Sequence, residues 1–283
     1  MGEYRTGTAV SADGTVIGYR SLGSGPAVLL VHGGMKAAQH LMDLARVLSD
    51  GFTVHVPDRR GRGLSGAHGA DFGVRREVED LQALAAATGA TRIFGLSSGA
   101  LVTLRTALVT PSLDRIALYE PPLSVDGSAP IGWVPRYERE IAAGKLSAAL
   151  VTSLKGLGTE PVFGRVPRFL LVPFLTVGAR LQRAAAEDDV PIPELVPTLG
   201  YDMRVIREMA DTAPDYAALK AEVLLLDGAK SPAYLHQAVD ALSAVLLRSR
   251  RVTFPGLGHE GPEDEGDPKS VGAALRDFFA DPA

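Results

Sequence analysis

Cysteine is absent from the sequence, which excludes disulfides and thiolate metal sites. Basic residues hold no majority. The 29 Lys and Arg stand against 33 Asp and Glu, a net charge of -4, and this argues against a nucleic-acid binder with its basic surface. No stretch reaches the ~18 to 20 apolar residues of a membrane-spanning helix. The N-terminal stretch Met1–Gly14 lacks the apolar run of a signal peptide. Internal repeats and low-complexity segments are also lacking. These absences predict a soluble, cytoplasmic protein with neither a membrane nor a nucleic-acid partner.

What is present is an ordinary globular composition, 46% hydrophobic and 22% charged over 283 residues, long enough for one large α/β domain carrying an insertion. Thr6–Val10 and Val16–Arg20, separated by Ala12-Asp13-Gly14, read as a hairpin. Ala27–Val31 is a continuous apolar run, as expected of a strand buried on both faces of a parallel sheet. A helix at Leu41–Leu48 and a strand at Phe52–Val56 follow. Then come a helix at Val74–Thr88, a strand at Arg92–Leu96, a helix at Gly99–Leu108 and a strand at Ile116–Tyr119. This alternation implies βαβ crossovers.

The rhythm breaks after Glu120-Pro121-Pro122 and resumes with a strand at Val223–Leu226. A helix at Pro232–Leu246, a strand at Arg251–Phe254 and a helix at Ser270–Phe279 complete the chain. The expected organisation is a core of 1–121 and 215–283 with a helical cap over 122–214. The apolar stretch Phe169–Val177, interrupted by Pro173, is expected to be cap core or pocket lining rather than a membrane-surface patch.

Gly95-Leu96-Ser97-Ser98-Gly99 matches G-x-S-x-G at the junction of an apolar strand and a helix. That context is the one a nucleophile elbow requires. A serine at so tight a turn takes a strained backbone, small neighbours give it room, and its hydroxyl projects at the carboxyl ends of the strands. His32-Gly33-Gly34 follows an early buried strand. Backbone N–H groups at Gly33 and Gly34, with that of Ser98, are candidates for an oxyanion hole. His259, in the loop after the last strand, is the candidate base. His40, His55, His68 and His236 have no comparable setting and read as structural.

The order HGG, PDRRGRG, GLSSG and GLGH resembles the α/β-hydrolase superfamily over nearly the whole chain outside the cap. The resemblance implies a mostly parallel eight-stranded sheet flanked by helices, a Ser–acid–His triad, an oxyanion hole and a lid. It also implies an aspartate three residues beyond the glycine that ends the penultimate strand. Here that position holds Ser231, in Asp227-Gly228-Ala229-Lys230-Ser231-Pro232, and serine cannot stabilise an imidazolium. Ser231-Pro232 reads instead as a helix N-cap with proline at the first helical position. Glu120, one strand nearer the nucleophile, is the favoured acid and Asp227 the alternative. Certain haloalkane dehalogenases and zearalenone-type lactone hydrolases place a glutamate at this strand end. The chain resembles those lactonases further in Ser97-Ser98-Gly99-Ala100 and in Gly228-Ala229-Lys230-Ser231-Pro232.

Gly61-Arg62-Gly63-Leu64-Ser65-Gly66 fits G-x-G-x-x-G, but Pro57–Arg60 separates it from the preceding strand and further turn residues follow it. A structural loop is expected there, not a dinucleotide site. No metal cluster is evident, and no cofactor is expected. The residues predict an esterase or lactonase acting on a medium-sized hydrophobic small molecule. A carbon–carbon hydrolase, an acyltransferase and a non-catalytic ligand-binding member remain as alternatives. Enzymes with an aspartate nucleophile are disfavoured by Ser97.

Overall fold

The computed structural model describes residues 4–159, 161–181 and 188–280. Its centre is a sheet of eight strands: β1 (Arg5–Val10), β2 (Val16–Gly23), β3 (Ala27–Val31), β4 (Thr53–Pro57), β5 (Arg92–Leu96), β6 (Arg115–Tyr119), β7 (Glu222–Gly228) and β8 (Ser249–Phe254). Their spatial order is β1-β2-β4-β3-β5-β6-β7-β8. The first two pairings, β1 with β2 and β2 with β4, are antiparallel, and all the others are parallel. The hairpin expected at the N-terminus is therefore present, turning at Gly14 in the left-handed region (φ 84°).

Alternate residues of the inner strands enter two separate cores, because a strand turns successive side chains to opposite faces. Leu29, Val31, Ile93, Ile116, Leu118, Val223 and Leu225 join one core. On that side lie α2 (Val74–Thr88), α3 (Ser98–Val109) and, further along the chain, a helix at Ala233–Val245. Val28, Leu30, Phe94, Leu96, Ala117, Tyr119, Leu224 and Leu226 join the other. There they meet α1 (Met42–Leu48) and the C-terminal helix at Pro268–Ala280. Burial on both faces explains why these strands read as unbroken apolar runs. The edge strand β8 is mostly exposed and carries Arg250 and Arg251, charges that discourage edge-to-edge pairing.

Between the neighbours β6 and β7 the chain is helical: α4 (Val134–Ala142), α5 (Leu146–Leu157), α6 (Pro161–Arg165), α7 (Arg168–Leu181), α8 (Ile192–Leu195) and α9 (Leu199–Glu208). Val134, Tyr137, Ala149, Leu199 and Met203 extend the first core into this segment. The Ala233–Val245 and Pro268–Ala280 helices are α10 and α11.

Two expectations are corrected. The apolar stretch Phe169–Val177 lies on α7, where Phe169 and Phe174 are 74% and 72% exposed and Leu171 is buried. None of it lines the pocket at Ser97. The inner side of α7 is anchored instead by Arg168, which donates to Glu140, Thr152 and the Ala148 carbonyl, so its apolar residues at 169, 170, 174 and 177 face outward. Nor does Ser231 cap a helix. Pro232 is the N-cap, with extended backbone (φ -60°, ψ 148°) and no side-chain capping bond. Ser231 is thereby one residue outside the helix, and its hydroxyl is buried without a hydrogen-bond partner.

Candidate active site

Ser97 stands between β5 and α3 with φ 55° and ψ -126°, a conformation that non-glycine residues rarely hold unless their surroundings enforce it. The flanking glycines make it possible. A Cβ at Gly95 would lie 2.6 Å from the Ala100 Cα, and one at Gly99 would lie 2.4 Å from the His32 carbonyl oxygen. The Ser97 N–H donates to the Tyr119 carbonyl at 2.9 Å, which ties the turn to the end of β6. Gly33 packs directly on the serine: its Cβ would fall 3.0 Å from that of Ser97.

Glu120 follows β6 immediately, is fully buried, and also has a left-handed backbone (φ 48°). Both of its carboxylate oxygens accept. Oε1 takes the Gly228 N–H at 2.7 Å, and Oε2 is 2.6 Å from His259 Nδ1. With a carboxylate on Nδ1, that nitrogen carries the proton and Nε2 is left as the basic site. The histidine loop is held from below by the Tyr119 hydroxyl, which donates to the Gly258 carbonyl at 2.7 Å. Ser97 and His259 line the same pocket. Among the described residues Ser97 Oγ makes no hydrogen bond, to His259 or to any other group.

Asp227, the alternative acid, faces the other way. It accepts from both Arg251 Nε and Nη2 (3.0 and 2.7 Å) and from Thr253 Oγ1 (2.8 Å), and it pairs with His236 Nδ1 at 2.9 Å. Two positions after Leu225, its side chain lies on the α10 side of the sheet, where His236 and Arg251 hold it. Asp227→Asn is accordingly expected to destabilise the fold by about 2 kcal/mol while leaving kcat within a factor of ~3. Denaturant unfolding and steady-state kinetics on one preparation check both halves.

A pocket of about 800 Å³, its open mouth included, lies over these residues. Its floor includes Gly33, Gly34, Ser97, Ser98 and His259; α5 and α9 supply Leu154, Leu157, Leu199, Met203 and Ile206. The model of the alpha/beta hydrolase family matches residues 28–274. The chain belongs to the alpha/beta hydrolase family. This hydrolase is 30% identical to an α/β hydrolase from Sphaerobacter thermophilus of known structure, over 97% of this chain and 100% of that one, with a TM-score of 0.76. It is 36% identical over 132 residues to N-formylmaleamate deformylase from Pseudomonas putida, 45% of this chain and 49% of that protein. The chain thus spans about half the length of this curated relative. An enol-lactonase from Burkholderia xenovorans shares the fold, with a TM-score of 0.68 at 20% identity over 97% of this chain and 100% of that one.

Sequence reasoning missed a buried ionic network that reaches the pocket of the hydrolase through Asp202. Asp202, on α9 and 1% exposed, accepts from Ser98 Oγ and Arg59 Nη1 at 2.8 Å each and from Arg62 Nη2 at 2.6 Å. Burial alone would raise its carboxyl, but Arg62 and Arg59, with the Ser98 hydroxyl, outweigh it and hold Asp202 below its ordinary value. Arg59 is also gripped by both oxygens of Glu77, at 2.6 and 2.7 Å. His32 completes the frame: its Nδ1–H donates to the Gly33 carbonyl at 2.9 Å, and its Nε2 accepts the Arg59 N–H at 3.1 Å. Burial, reinforced by Arg62 and Arg59, keeps this imidazole far below its usual pKa, hence neutral. The doubled arginines of PDRRGRG were the available signal. Asp202 had none.

The glycine-rich loop after β4 serves packing. A Cβ at Gly61 would strike the His68 ring at 1.8 Å, and one at Gly63 would strike the Asp58 carboxylate at 2.3 Å. That carboxylate accepts the N–H groups of Ala38 and Leu64. No group of three or more metal-ligating side chains occurs among the described residues, and no helix there is long and apolar enough to cross a membrane.

Proposed function

We propose that the protein is a serine hydrolase that cleaves a carboxylic ester or lactone of a medium-sized hydrophobic substrate. His259 Nε2 takes the Ser97 proton as Oγ attacks the carbonyl carbon. Backbone N–H groups at Gly33, Gly34 and Ser98 hold the oxyanion. The tetrahedral adduct collapses, His259 returns the proton to the departing alkoxide, and an acyl-enzyme remains. Water, deprotonated by His259, then releases the acid and restores Ser97. No cofactor enters these steps. In this reading 1–121 and 215–283 form the catalytic core, and 122–214 is the cap that shapes the substrate.

The observation that carries the reading is the hydrogen bond between the buried Glu120 and His259, which lines one pocket with Ser97. A carboxylate so placed selects the productive tautomer and stabilises the imidazolium. Support for an apolar substrate comes from the leucines and methionine of α5 and α9 facing the serine. The likeness to N-formylmaleamate deformylase favours a second reading, in which the same steps release an amine from an N-acyl or N-formyl amide.

A fluorophosphonate is expected to label Ser97 stoichiometrically, with mass spectrometry of the peptide as readout. Turnover of aryl esters, large lactones and N-formyl amides, each with Ser97→Ala as blank, then separates the classes. Folded protein that leaves Ser97 unlabelled would remove acyl transfer from consideration. A labelled enzyme active only on the amides would replace the ester reading with the second one, and a labelled enzyme silent on all three would point to carbon–carbon hydrolysis or acyl transfer.

A further inference from the structure

One wall of the pocket is ionic. Lys36 follows the Gly33-Gly34 loop, Glu260 and Glu263 follow His259, and all three side chains line the cavity. Glu263 forms a close ion pair with the Lys36 ammonium, and Glu260 Oε1 lies 3.7 Å from the same nitrogen. The Glu263 side chain is only 7% exposed, and burial pushes its carboxyl up to about 6 although Lys36 pulls it down. Apart from His259, Lys36 is the only basic side chain among the described residues that line the pocket. On this wall one cation thus stands against two carboxylates, while the third lining carboxylate, Asp202, is held by Arg59 and Arg62.

We propose that this triad sets the charge of the substrate: Glu263 occupies the one ammonium that could anchor a carboxylate, and Glu260 repels any that approaches, so the enzyme takes neutral esters or lactones. This rests on the ester and lactone reading above. An incoming carboxylate gains nothing from Lys36 unless it displaces Glu263, which is buried and already paired. It must also give up its own hydration while facing the charge of Glu260. A neutral acyl chain meets none of these costs and gains contact with the apolar walls.

The test compares p-nitrophenyl butyrate with mono-p-nitrophenyl succinate, whose acyl chain ends in a carboxylate. Initial rates are taken net of enzyme-free breakdown in the same buffer, which for the succinate includes attack by its own carboxylate to give the anhydride, and each kcat/KM is divided by the hydroxide rate constant of that ester. The wild type should favour the butyrate by at least roughly tenfold after this correction. Glu263→Gln should free Lys36 and shift the ratio toward the succinate on the order of tenfold, and Lys36→Met added to Glu263→Gln should cancel the shift. Glu260→Gln, at a more exposed position, should move the ratio the same way by about two- to threefold and serves if Glu263→Gln does not fold. A wild-type ratio near one, or a ratio that none of these folded variants moves, would overturn the proposal. The rates at which a neutral and an ω-carboxyalkyl fluorophosphonate label Ser97 give the same comparison without turnover. Charge discrimination there, with neither ester hydrolysed, would sink the ester reading and leave the charge selection standing. Equal labelling rates would sink the selection.

Discussion

Glu120→Gln is expected to lower kcat on the order of 10³ to 10⁴ with the fold intact. The reason lies in how the carboxylate is used. Its two oxygens both accept, one from the Gly228 N–H and the other from the His259 Nδ1–H. Glutamine offers a single acceptor. If its oxygen faces the imidazole, its amide group opposes the Gly228 N–H. If its oxygen keeps Gly228, the amide donates to Nδ1 and forces the proton onto Nε2, the atom that must accept from Ser97. Either way the negative charge that stabilises the imidazolium is gone. The effect should fall on kcat more than on KM, because that stabilisation is needed only as the proton moves.

Ser231 makes this prediction sharper. Its N–H is bonded to the carbonyl of Gly228, whose own N–H holds Glu120, and its buried hydroxyl has no partner. Ser231→Asp in the Glu120→Gln background should therefore recover about tenfold in kcat by supplying a carboxylate from the neighbouring strand end. A Glu120→Gln enzyme as active as the wild type would remove Glu120 from the triad. Equal activity of the single and double variants would show that Ser231 does not reach His259.

What the sequence disclosed and what it hid divide along a physical line. The inner strands were legible because burial on both faces leaves a short unbroken apolar run, and the elbow because steric demand at Ser97 calls for glycines at fixed spacing. Glu120 became a candidate through the resemblance: the position at which the family's pattern implies an aspartate holds Ser231, and a longer acid stands at the next strand end. Asp202 belongs to another kind. Its partners Arg59 and Arg62 lie 143 and 140 positions away, and nothing near residue 202 differs from an ordinary polar position on a helix. The α7 stretch misled for a related reason. Apolar composition says that a helix has a face to bury, but which face meets α5 is decided by Arg168 and its partners on α4 and α5. Interactions between distant segments leave no local pattern, and the helical segment between β6 and β7 is held largely by such interactions.

Asp202→Ala should be the most destabilising single change in that segment, costing about 3–5 kcal/mol. It leaves the Arg62 guanidinium buried, with only the Gly33 carbonyl at 3.5 Å for company and its Nε already without a partner. Arg59 suffers less because Glu77 keeps both of its bonds. Removing both charges of this buried pair should therefore repair most of the loss, so Asp202→Ala/Arg62→Met is expected to regain at least half of it in a denaturant double-mutant cycle. Activity should behave differently. The Asp202 carboxylate touches the oxyanion-hole candidates from behind: it accepts from the Ser98 hydroxyl, and a Cβ at Gly34 would fall 3.1 Å from its Oδ2. Neither contact returns in the double variant. Its kcat should stay about 10- to 100-fold below wild type even when its stability has recovered. Recovery of kcat along with stability would mean that the network holds the fold and has no part in aiming the backbone N–H groups. Full stability of Asp202→Ala alone would mean that the buried arginines find other partners and that the Asp202–Ser98 contact does not hold α9 against the nucleophile turn.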